Sequence, residues 1–171
     1  VFNEVCKDIR HWTETGIPPV RISVNFSKHH LKNPHFAEDI LSTIAQHKVD
    51  SKYIEIELTE VSDYDDYMTM QRFITIMRKN GITVSIDDFG TGYSTLNVLK
   101  NFDVDVIKLD KSLLDNIGKE NSMDEVVVKN VIHLANEMHK EVIAEGVENE
   151  VQAKFLAGVN CHNVQGYLFD K

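Results

Sequence analysis

A ring of polar side chains recurs at one end of a series of short apolar runs: Asn25, Glu57, Asp87, Asp88, Lys108, Glu145 and Gln165, with Glu148 just beyond Glu145. Carboxylates gathered in one place repel each other unless cations neutralise them. Oxygen donors together with an amide favour hard divalent ions such as Mg²⁺ or Mn²⁺ over zinc. The adjacent pair Asp87-Asp88 could bridge two such ions, and a two-ion site supports in-line displacement at phosphorus. Lys108 could orient the attacking water, take its proton if its pKa is depressed, or stabilise developing charge. A plain salt bridge to a neighbouring carboxylate is its other reading. Gly90-Thr91-Gly92 lacks the spacing of a dinucleotide fingerprint or a phosphate-binding P-loop. Beside the acidic pair it reads as a mobile loop over the site.

The elements that must carry these residues are legible in the patterning. Candidate strands cover Val20 to Ser27, Tyr53 to Glu60, Ile82 to Asp88, Val104 to Asp110, Glu141 to Val147 and His162 to Phe169. Each alternates: Val20, Ile22, Val24 and Phe26 oppose Arg21, Ser23, Asn25 and Ser27, and Ile54, Ile56 and Leu58 oppose Glu55, Glu57 and Thr59. Amphipathic helices lie between. Asn33 is expected to cap one, with Pro34 at its first position. Ser62 precedes another, carrying Tyr67, Met70, Phe73, Ile74 and Met77, and Gly81 stops it. Ser122 and Glu125 have the spacing of a capping box, and Asn149 starts a helix that Gly158 ends. Strand and helix alternating every 30 residues or so indicate βα units and a parallel sheet, either a barrel or an open doubly wound sheet. In both, the active site lies at the carboxyl ends of the strands.

The chain has 171 residues, and Lys+Arg 18 against Asp+Glu 27 leaves a net charge of −9. An excess of acid argues against a broad DNA- or RNA-binding surface. With 42% hydrophobic and 26% charged residues the composition is globular. No stretch approaches the roughly 20 apolar residues of a membrane span. Cys6 and Cys161 are too few for a disulfide scaffold and read as core residues in a reducing, cytoplasmic setting. Asn25-Phe26-Ser27 matches a glycosylation sequon, but no secretory signal supports that use. His29-His30, and His133 with Glu137, lack a third metal ligand and read as surface or helix-face histidines. Val1, Phe2, Val5, Cys6, Ile9 and Trp12 share a helical face from the first residue, so the chain reads as a piece of something longer.

The segments Ser23-Val24-Asn25-Phe26-Ser27, Glu57-Leu58-Thr59-Glu60, Asp87-Asp88-Phe89-Gly90-Thr91-Gly92-Tyr93-Ser94, Lys108-Leu109-Asp110, Ala144-Glu145-Gly146-Val147-Glu148 and Gln165-Gly166-Tyr167 follow one another through nearly the whole chain. In this combination the sequence resembles the EAL-type cyclic-di-GMP phosphodiesterases. The resemblance implies an α/β fold, a TIM-like (β/α)8 barrel of EAL type with one antiparallel strand, incomplete here with about six βα units. It implies residues 1–171 as a partial domain whose first strands and final helix lie outside the sequence. It implies hydrolysis of cyclic di-GMP to linear pGpG with two Mg²⁺ or Mn²⁺ ions, and inhibition by Ca²⁺. By match, Asn25, Glu57, Asp87, Asp88 and Glu145 are metal ligands, with Asp87 bridging. Lys108 assists the attacking water, Gln165 helps place it, and Glu148 supports the site. Glu60 anchors the loop of Phe89, Gly90, Thr91, Gly92, Tyr93 and Ser94, which couples metal binding to dimerisation. The Glu-Ala-Leu motif itself is absent and is expected before residue 1, so this piece is expected to be inactive or domain-swapped. Expected partners are cyclic di-GMP, a second copy of the chain, and upstream sensory or diguanylate-cyclase-like domains, with no DNA, RNA or membrane contact by this segment. The alternative is a non-catalytic module that binds the nucleotide or a protein as a signalling receptor.

Overall fold

The structure is a computed structural model that describes residues 1–27, 29–59, 64–91, 99–120 and 122–169. Helix α1 (Phe2–Thr15) opens the chain, and strand β1 (Ile22–Phe26) follows. Then come α2 (Phe36–His47), β2 (Ile54–Thr59), α3 (Tyr64–Lys79), β3 (Thr83–Phe89) and β4 (Val106–Leu109). Helix α4 (Met123–Glu137), β5 (Glu141–Ala144), α5 (Glu150–Gly158) and β6 (Asn163–Val164) complete the order. The strands form one six-stranded sheet in the order β1-β2-β3-β4-β5-β6. Every neighbouring pair is parallel, so the described strands include no antiparallel member, and the sheet does not close on itself.

Alternation decides which way each strand faces. Ile54, Ile56, Leu58, Val84 and Ile86 are buried on the side covered by helices and join the main core. Glu55, Glu57 and Ser85 occupy the opposite face, yet they too are buried. A sheet with polar side chains buried on its concave side needs them paired, because an unpaired buried charge is costly. Low on that face Arg21, just before β1, reaches β2 and β5, with Nε 2.9 Å from Glu55 and an Nη 2.8 Å from Glu141. The sequence pattern gave no sign that these three residues form one network.

Several predicted ends move. Asn33 does not cap α2 as expected. Its side chain accepts from the His35 amide at 3.0 Å, and the helix begins at Phe36 after a turn of 3₁₀ helix over His30–Lys32. The Ser122-Glu125 capping box does not form. Ser122 Oγ is buried without a partner, while Glu125 accepts from the Gly118 amide at 2.8 Å. The glutamate is drawn to the preceding loop, whose amides have no helix of their own. Asn149, by contrast, makes a full capping box with Gln152. Helix α3 ends at Lys79, and Gly81 turns the chain with φ 74°. Strands β5 and β6 are shorter than predicted because Gly146 (φ 67°) and Gly166 (φ 153°) break the extended path. Ser62 lies outside the described residues.

Cys6 and Cys161 are buried free thiols, as their place in the pattern suggests. Burial pushes both pKa values up to about 11. The thiolate is the reactive form, so a disulfide-exchange reagent at pH 7 is expected to label neither cysteine in the folded chain and both after denaturation. Rapid labelling of the native protein would contradict this packing.

Candidate functional site

The upper concave rim of the sheet is built by consecutive strands. Parallel register sets Asn25 beside Glu57, and Thr59 beside Asp87. Register between β3 and β4 then slips: Ile86 pairs with Ile107, but Phe89 pairs with Leu109. One extra residue is thus accommodated in β3, and Asp88 takes it up with φ 54°. In an unbroken strand Asp87 and Asp88 would point to opposite faces. The bulge instead lets Phe89 return to the core, where it is fully buried, while Asp88 stays exposed at the rim. The Asp88 amide donates to Asp87 Oδ1 at 3.0 Å, fixing the bend. Gly90 follows with φ 107°, and a Cβ there would lie 2.5 Å from a Leu113 methyl.

Lys108 stands in the middle of the rim, with its side chain 9% exposed. Its Nζ lies 2.7 Å from a Glu57 oxygen and 2.7 Å from a Glu145 oxygen. Gln165 donates from Nε2 to the same Glu145 oxygen at 2.7 Å. Burial alone would lower the Lys108 pKa, but hydrogen bonds and attraction from Glu145 and Glu57 outweigh it and hold the pKa above its ordinary value. The sequence-based option of a depressed lysine acting as base is therefore corrected. In this arrangement Lys108 is a cation, and its salt bridge forms with two carboxylates rather than one. Asp87 is raised above the usual carboxylate range by burial, which outweighs the pull of Lys108, and nearby Asp88 and Glu57 push the same way. Glu145 is raised mainly by burial, with Asp87 and Glu57 adding to it.

Other predicted residues sit around this centre. Glu148 is exposed beyond it and accepts from Lys111 Nζ at 2.6 Å. Lys111 was not singled out by sequence, since nothing in its spacing marks it. Asn25 is exposed on the edge strand beside Glu57. Phe89, Gly90 and Thr91 lead away from the bulge, and Thr91 Oγ1 donates to the Asp88 carbonyl at 2.9 Å. Glu60, Gly92, Tyr93 and Ser94 lie outside the described residues. His29, His30 and His133 are exposed, and the His30 ring contacts Ser27 and Phe26.

The donor set suits a hard divalent cation. Glu57, Asp87 and Glu145 influence one another electrostatically, and Asp88 also acts on Asp87. These four carboxylates and the amides of Asn25 and Gln165 share a rim with the Lys108 ammonium. Among the described residues, no three His, Cys, Asp or Glu side chains stand close enough to hold an ion together. Two of the carboxylates are held by Lys108 instead. The set thus fits by donor chemistry, with Lys108 filling the role of counter-ion.

Gly166 closes the rim below Gln165. Its φ is 153°, and a Cβ would lie 2.3 Å from both the amide nitrogen and the carbonyl oxygen of Val147. Backbone cannot move aside as a side-chain tip can. Gly166→Ala is expected to cost about 2 kcal/mol or more and to lower the thermal midpoint by several degrees. An unchanged midpoint would show that Gln165 does not depend on this close approach.

The EAL domain family model matches residues 1–171. The cyclic di-GMP phosphodiesterase NbdA of Pseudomonas aeruginosa is 31% identical over 171 residues, covering 100% of this chain and 22% of that protein. The bifunctional diguanylate cyclase/cyclic di-GMP phosphodiesterase MucR of the same organism is 28% identical over 171 residues, covering 100% of this chain and 25% of that protein. A structure of the MucR phosphodiesterase in complex with c-di-GMP matches with TM-score 0.88, covering 99% of this chain and 68% of that chain. The EAL domain of Mycobacterium smegmatis DcpA matches with TM-score 0.86 and 32% identity, covering 99% of this chain and 76% of that one. The chain spans about a quarter of the length of curated relatives it matches, 27% in the case of an uncharacterised protein of Mycobacterium tuberculosis.

Proposed function

Because the chain belongs to the EAL domain family, we propose that it hydrolyses one phosphodiester bond of cyclic di-GMP to give linear pGpG. The observation that carries this reading is the convergence of Asn25, Glu57, Asp87, Asp88 and Glu145 on one rim around Lys108. Asn25, Glu57, Asp87, Asp88 and Glu145 would hold two Mg²⁺ or Mn²⁺ ions. When bound, such ions supply Lewis acidity toward phosphate and water. Lys108 keeps its proton at Nζ and offers N–H donors to the water or to a phosphoryl oxygen. Gln165 holds one Glu145 oxygen in place and so orients that carboxylate. Glu148, tied to Lys111, supports the site. The proposed assembly is a homodimer. The setting is the cytoplasm, where Cys6 and Cys161 stay reduced, and upstream sensory or cyclase-like domains regulate the activity. Among the described residues no helix is long and apolar enough to cross a membrane.

A second reading is a receptor that binds cyclic di-GMP without cutting it. The contact that favours it is the ammonium of Lys108 seated between Glu57 and Glu145, which neutralises them without a metal. One experiment separates the two. The purified chain is incubated with Mn²⁺ and cyclic di-GMP, products are resolved by chromatography, and binding is measured in parallel by calorimetry. Appearance of pGpG supports hydrolysis. Binding without pGpG favours the receptor, and the absence of both binding and pGpG overturns both readings.

A further inference from the structure

We propose that the groove between α3 and the segment leading into α2 is a docking site for an acidic amphipathic helix of a partner polypeptide. The groove has a volume of about 860 Å³ and lies on the outer, helical side of the sheet, apart from the carboxylate rim. Its α3 wall is a single helix face, the exposed Met68, Arg72 and Lys79 with the half-buried Ile76, in which apolar and basic side chains alternate at helical spacing. Lys32 and Ala37 form the opposite wall. At the floor the rings of Phe36 and Phe73 stack, with centroids 5.3 Å apart and planes 12° from parallel. That pair makes the floor rigid and apolar.

Charge selects the occupant. Many cations of this acidic chain bind carboxylates, Arg21, Arg78, Lys108, Lys111 and Lys140 among them, and no described acidic residue lines this groove. Lys32, Arg72 and Lys79 have no acidic partner among the described residues, and all three line this groove. A chain of net charge −9 thus keeps three unneutralised cations on the walls of an apolar trough. Met68 to Lys79 spans about 16 Å at 1.5 Å per residue, room for three turns of a second helix. Such a helix would lay its apolar face on Met68, Ile76 and the aromatic floor and set acidic residues against the three cations.

The probe is a labelled synthetic helical peptide of about 15 residues, with leucines at i, i+3, i+4, i+7 and i+11 flanked by glutamates. Its control has every glutamate replaced by lysine. Fluorescence anisotropy with the 171-residue chain is expected to give a saturable isotherm for the acidic peptide and none for the basic one. The triple variant Lys32→Glu, Arg72→Glu, Lys79→Glu is expected to weaken binding at least tenfold, with an unchanged circular dichroism spectrum and thermal midpoint. Ile76→Asp, tested alone, is expected to weaken it as well. No saturable binding, equal binding of the basic peptide, or equal binding by the triple variant would overturn the proposal. So would sedimentation with anionic lipid vesicles, or self-association of the chain, that those substitutions abolish while the acidic peptide fails to bind. None of these readouts depends on hydrolysis of cyclic di-GMP.

Discussion

Lys108→Met is expected to lower the unfolding free energy by about 3–5 kcal/mol, the cost of leaving buried ionic partners uncompensated. The reason lies in the geometry of the rim. One ammonium serves two carboxylates at 2.7 Å each, and both acids sit in a largely buried setting. Methionine fills a similar volume but leaves Glu57 and Glu145 facing each other without a counter-charge. Denaturant titration at pH 7.5 measures the loss. Mn²⁺ is then expected to raise the melting temperature of the variant more than that of the parent chain. An ion that relieves the Glu57–Glu145 repulsion no longer competes with an amine, and binding to the folded state stabilises it. Equal melting temperatures for the two proteins without metal would show that the double ion pair contributes nothing, and the assignment of Lys108 as the resident counter-ion would be withdrawn.

Asp87→Asn is expected to move stability and activity in opposite directions. The folded Asp87 carboxyl binds its proton at higher pH than an unfolded one, because burial disfavours the anion. Folding is therefore opposed by this group above its folded pKa, and the penalty fades as pH falls toward the ordinary value of 3.8. Asparagine removes the penalty at every pH. The metal-free variant is expected to melt about 2–4 °C higher at pH 7, which corresponds to ~1 kcal/mol in a domain of this size. It is also expected to lose pGpG formation by about 10³-fold, since the central ligand of the proposed ion pair is gone. Higher stability with lost function is the usual mark of a residue placed for chemistry rather than for folding. A variant that melts lower, or one that still hydrolyses the nucleotide at the parental rate, contradicts the placement.

The face each strand presents was readable because period-2 alternation is strict in β1, β2 and β3. Ile54, Ile56 and Leu58 can only be buried together if Glu55 and Glu57 face the other way. The rim residues were readable for the same reason, each falling at the end of a strand. The state of Lys108 was not readable, because its pKa depends on two carboxylates from distant strands and not on its neighbours in sequence. Capping was legible at Asn149, where donor and acceptor sit within one turn, and failed at Ser122, where Gly118 offered Glu125 a competing amide. The short extent of β6 turns on Gly166 and its contact with the Val147 backbone, a tertiary constraint with no local signature. The Arg21-Glu55-Glu141 network joins first, second and fifth strands and shows only when they are brought together.

The slip of register at Asp88 acts as a change of phase. Downstream of it, every inward position exchanges parity with the count kept by β2. Removing that single residue would send Phe89 toward the charged hollow and Gly90 toward the wall of the sheet. In this stretch the chain therefore tolerates exchange of one side chain for another far better than loss or gain of one position. A library of single-residue deletions across 83–91 would register that as a sharp, odd-even pattern in the yield of folded protein.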